Sequence, residues 1–130
     1  MIWTDWSLSR LSVLIIGLGY LLTFAQVTMY HYRQNFRHYA MWLPVIVGPA
    51  VGLSATALAL LNLALLVPIT NGLFWLATAG GIVGFGYHFV GVGERVGGYQ
   101  TSNFLVGPPI ILPLIFSALG VLGLIALYWR

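Results

Sequence analysis

The chain reads as an all-α integral membrane four-helix bundle, and three observations predict that class. Charged residues make up 5% of the sequence and hydrophobic ones 60%, whereas a soluble domain carries roughly 25% charge to cover its surface. Apolar runs of bilayer-crossing length recur four times, about 20 residues being needed for a ~30 Å hydrocarbon core. The polar residues gather in two islands between those runs. Residues 30–42, YHYRQNFRHYAMW, hold two of the five arginines and two of the three histidines; residues 87–103 hold the third histidine, the only glutamate and another arginine.

The formal net charge of +3 comes from five arginines against Asp5 and Glu94, with no lysine. Isolated arginines at span ends form no basic stripe, so nucleic acid is excluded as a partner and snorkelling to headgroup phosphates is the expected role. Cysteine is absent, which removes disulfides, thiolate metal sites and cysteine nucleophiles.

A single transmembrane domain, 1–130, is expected. Residues 1–10 read as an interfacial lead-in, with Trp3 and Trp6 at headgroup level and Asp5 or Ser7 as a helix cap. The first span is placed at 11–30. It is too long for a secretory h-region and lacks a small-x-small cleavage site, so it is taken as retained. Nothing breaks that helix before Pro44, so it is expected to continue. His31, Asn35 and His38 would then share one face, and Arg33 and Arg37 another.

The second span, 41–67, has Pro44 and Pro49 near its start, and small residues Ala50, Ser54, Ala55, Ala57 and Ala59 that would admit a neighbouring helix. Asn62 is its odd polar member. Residues 68–72, PITNG, read as a compact turn. The third span, 73–92, is glycine-rich, and Gly80 and Gly84 form a GxxxG pair. Residues 93–103 read as the longest loop. The fourth span, 104–129, is broken early by Pro108, Pro109 and Pro113 and ends in a Tyr128-Trp129-Arg130 anchor.

The halves 1–71 and 72–130 share short motifs: Tyr30-His31 with Tyr87-His88, and Val47-Gly48-Pro49 with Val106-Gly107-Pro108. These suggest a duplicated two-helix hairpin with a pseudo-twofold axis along the membrane normal. Both polar loops then fall on one side, and Arg33, Arg37 and Arg95 against Arg10 and Arg130 lean towards cytoplasmic loops in a bacterial inner membrane.

The pattern HYR, Phe36, Met41-Trp42-x-Pro44-Val45, then Tyr87-His88 and Asn103-Phe104-x-x-Gly107-Pro108-Pro109 resembles small bacterial four-span membrane proteins with no established activity. The likeness covers most of the chain from the end of the first span onward. It implies the four-span topology and points to the histidine-bearing face, and brings no activity with it.

The chemistry must come from that face. His31 and His88, at corresponding places in the halves, could ligate a b-type haem axially, with Arg33, Arg37 or Arg95 pairing with propionates. A quinone would need only one donor, from Tyr30, Tyr87, Tyr99 or His38, and an apolar slot. Met41 is set aside as packing. No paired carboxylate, nucleophile-base set or metal-ligand cluster argues for an enzyme. Glu94 reads as a clamp to Arg95 or to an arginine of the first loop. A transporter would need ionisable groups at the midplane, which the spans lack; a small oligomeric channel is a further alternative. The expected function is a non-catalytic accessory or anchor subunit of a respiratory or photosynthetic electron-transfer complex. Its partners would be the lipid bilayer and other membrane subunits or its own copies.

Overall fold

The computed structural model describes residues 2–129 and shows an all-helical bundle with four helices long and apolar enough to cross a membrane. They are α1 (Leu8–Arg33), α2 (Trp42–Leu61), α3 (Leu66–Arg95) and, after the short α4 (Thr101–Val106), α5 (Ile111–Tyr128). A 3-10 turn, Tyr39–Met41, leads into α2. Apolar side chains cover the outside as well as the core. Val13 is fully buried while Leu22 on the same helix is 75% exposed, a cost that only lipid removes.

The bundle closes as two hairpins, α1 against α2 and α3 against α5, joined through α2–α3 and α1–α5. Glycines set the closest approaches. A Cβ at Gly17 would run into the backbone of Thr56, and one at Gly52 into the Leu21 side chain. In the other hairpin a Cβ at Gly81 would strike the backbone of Pro113 and Ser117. The contact that matters in the third span is therefore Gly81; Gly84, half of the GxxxG pair, leaves ordinary room beside Pro113. Three polar contacts in the spans tie helices together. Tyr20 Oη donates to the Phe116 carbonyl at 2.7 Å, Ser117 Oγ to that of Thr78 at 2.6 Å, and Ser54 and Thr70 share a hydrogen bond of 2.7 Å. Burying such groups in hydrocarbon requires those partners.

Several boundaries differ from expectation. The second span ends at Leu61, because Asn62 adopts the left-handed conformation (φ 53°, ψ 40°) and closes the helix. The turn is therefore 62–65. Residues 68–72 lie in the opening turns of α3, where Pro68 is the third residue and its missing N–H breaks no helical bond. The first helix stops at Arg33; Asn35 and Phe36 have φ of 54° and 46°, so the helical faces assigned to Asn35, His38 and Arg37 do not exist. The third span runs on to Arg95, and the last starts at Ile111, after α4. The Val-Gly-Pro motifs differ in setting: 47–49 lies inside α2, 106–108 at the end of α4 and the link to α5.

At one end of the bundle lie the N-terminal segment, the 62–65 turn and the end of α5. Asn62 Oδ1 accepts from the N–H groups of Ile2 (2.9 Å) and Trp3 (3.1 Å), and its Nδ2 donates to the Trp3 carbonyl at 2.6 Å. Ser7 caps α1, accepting from the Arg10 N–H. Arg10 is committed to the C-terminus of α2, donating to the carbonyls of Ala59 (2.7 Å) and Leu60 (3.3 Å) while lying 4.1 Å over the Trp6 ring. Ser9 donates to Ala126, and Tyr128 to Asn71 at 2.9 Å. Arg130 lies outside the described residues, as does Met1.

Candidate functional site

The opposite end is open. At about 1.5 Å per residue, α1 (26 residues) and α3 (30 residues) outreach the hydrocarbon core, while α2 (20 residues) and α5 (18 residues) barely match it. The long helices project past the starts of the short ones, and the space between is a cavity of about 660 Å³. Its α3 wall carries Gly80, Gly81, Gly84 and Gly91, and prolines from the starts of α2 and α5 face them. A wall of glycine and proline offers a flat apolar surface.

His31, near the end of α1, and His88, on α3, both line this cavity, with ring centres 6.4 Å apart and planes inclined at 63°. Each is held the same way. His31 Nδ1 lies 2.7 Å from the carbonyl oxygen of Met41, and His88 Nδ1 lies 2.7 Å from that of Pro109. A carbonyl only accepts, so in both rings Nδ1 carries the proton, and in the neutral imidazole Nε2 then holds a lone pair.

Local sequence explains why the Pro109 carbonyl is free to accept: its helical partner would be the N–H of residue 113, a proline. The Met41 carbonyl is the N-cap carbonyl of α2, which receives the first helical N–H, and it takes the imidazole on its second lone pair. Neither carbonyl was foreseen; for Pro109 the signal was a proline four residues after a loop residue, opposite a span-end histidine.

His38 is in the opposite tautomeric state. Its Nδ1 accepts from the Ala40 N–H at 3.1 Å, and its ring stacks on Tyr39 (4.4 Å) and tilts against Tyr87 (5.0 Å). The Tyr39 and Tyr87 hydroxyls meet at 3.3 Å, linking the first polar loop to α3 across the cavity rim.

Of the residues singled out from sequence, His31, His88, Tyr87 and Arg95 line the cavity and Arg33 and Arg37 do not. Arg37 donates to Gln34 Oε1 at 2.8 Å, and its charge acts on Arg95. Arg95 and Glu94 lie at the rim, Glu94 acting on Arg95 through its field. The second polar island is pinned by rings, Tyr99 stacking on Phe89 at 5.0 Å, and by Asn103 Nδ2 donating to the Gly98 carbonyl at 2.7 Å.

No protein-family model, no curated protein and no solved structure matches this chain. Fold and site therefore rest on its own residues. The chain is an integral membrane four-helix bundle with a histidine-lined cavity at one end.

Proposed function

We propose that the protein is a small non-catalytic membrane subunit that holds a planar, lipid-soluble redox ligand in the histidine cavity, as an accessory part of an electron-transfer assembly. One observation carries this reading. Two imidazoles from different helices line one apolar cavity of about 660 Å³, and each keeps an uncommitted nitrogen. Small-molecule sites have this size and makeup, mostly apolar with a few convergent polar groups. The many apolar side chains left outward, Leu22 and Leu105 among them, suit lipid or neighbouring subunits.

The finer placement follows from charge. Arg33, Arg37 and Arg95 belong to the histidine end, and in the sequence Arg10 and Arg130 stand against them; that balance favours cytoplasmic loops in a bacterial inner membrane. The matching histidine bonds favour two duplicated hairpins.

Purification from native membranes in mild detergent tests the reading. Solvent extraction should release a ring-bearing ligand in near-stoichiometric amount, and partner subunits should co-migrate. A ligand-free protein running alone as a monomer would overturn it.

A further inference from the structure

Resting on the reading of the cavity as a planar-ligand site, we infer that its occupant is a metal-centred macrocycle of the haem class, held axially by the Nε2 atoms of His31 and His88. Three features of the site separate that occupant from its rivals.

The first is spacing. Two imidazoles that share one metal, each at about 2.0 Å, have ring centres about 6 Å apart, and these stand at 6.4 Å. A hydroquinone bridged end to end between two ring nitrogens would need the centres more than about 10 Å apart, given a hydrogen bond of ~2.8 Å at each end. An inclination of 63° between the rings is allowed, because axial imidazoles turn freely about their common axis.

The second feature is tautomer. With both Nδ1 atoms donating to carbonyls, both Nε2 atoms are acceptors. That is the state in which histidine binds a metal, its other nitrogen anchored by a backbone carbonyl. It is the wrong state for either of these two histidines to hold an oxidised quinone, whose two oxygens also only accept. His38 lines the same cavity but has Nδ1 occupied by the Ala40 N–H, and so is excluded as a ligand through that atom.

The third is ligand count. Among the described residues no group of three or more His, Cys, Asp or Glu could hold a metal ion, and two imidazoles alone do not complete the shell of a bare ion. A metal held here must bring its own equatorial donors. The cavity, about 660 Å³, is of small-molecule size, and Arg95 among its lining residues suits a peripheral carboxylate.

The test is titration of the purified, detergent-solubilised full chain with haemin and separately with decylubiquinol. Saturable one-to-one haemin binding with a low-spin, bis-imidazole absorption spectrum is expected. His31→Ala and His88→Ala should each abolish the low-spin spectrum and weaken binding about tenfold or more. Gly84→Trp, which puts a bulky ring into the cavity one helical turn from His88, should also block binding; circular dichroism would confirm that each variant stays helical. Haemin uptake with the low-spin spectrum intact in both histidine variants would overturn the inference. Saturable binding of decylubiquinol without haemin would overturn it and leave the planar-ligand reading standing. Binding of neither would overturn both.

Discussion

The two ends of this bundle are built from similar parts and behave oppositely. At the terminal end three polar side chains are turned inward onto backbone. Asn62 holds Ile2 and Trp3, Arg10 closes α2, and Ser9 reaches Ala126. At the histidine end the imidazoles also bond to backbone, but with one nitrogen each, and the helices leave a cavity between them. The difference comes from how the helices start and stop. At the terminal end only four residues separate the end of α2 from the start of α3, so the chain has no slack. At the other end long connections and prolines let α2 and α5 start late, and the space they do not fill is the site. Satisfying polar groups completely makes a clamp, whereas satisfying them by half makes a place for a ligand.

Substitutions can break or sharpen that contrast. The largest effect is expected at Asn62. Asn62→Leu leaves two backbone N–H groups and a carbonyl without partners and puts a branched residue in left-handed backbone, at a cost of about 3 kcal/mol. Thermal unfolding in detergent should show it, with ligand affinity per folded molecule unchanged. If affinity fell equally, the ends would not be independent.

Next come two neighbouring glycines of α3. Gly81→Ala pushes a methyl into the backbone of α5 and should destabilise by about 1–3 kcal/mol. Gly84→Ala meets Pro113 at ordinary contact distance, so its stability should stay within about 0.5 kcal/mol of the parent or rise. Equal losses at both positions would mean that the helices do not cross at Gly81. A modest, separate effect is expected at Arg10. Arg10→Met keeps the apolar stem but loses the bonds to the Ala59 and Leu60 carbonyls, and should cost about 1 kcal/mol. No loss would return Arg10 to the headgroup role expected from its sequence position.

That last case shows where sequence reading fell short. An arginine beside two tryptophans at a span end looks like a headgroup anchor. Only the fold brings the end of α2, 49 residues away, to its guanidinium. The turn at 62–65 was missed for a related reason. Proline and glycine at 68–72 mimic turn chemistry, yet proline in the first turn of a helix is compatible with it, and one asparagine in left-handed backbone gives little local signal. His31 and His88 were legible as a pair at one membrane face, since both sit where an apolar run gives way to a polar island. Their separation, their tautomers and the carbonyls that set them were not.

Hydropathy by itself determined that this chain crosses the membrane four times in an all-helical bundle, because a backbone in hydrocarbon must satisfy its own hydrogen bonds and few structures do so. It also determined that the histidines share a side, through the parity of the crossings. Tertiary structure alone decided which glycines touch, which arginine is committed and how far apart the two imidazoles stand. Those depend on where α2 and α5 begin relative to α1 and α3, a difference of a few residues that hydropathy does not register and packing does.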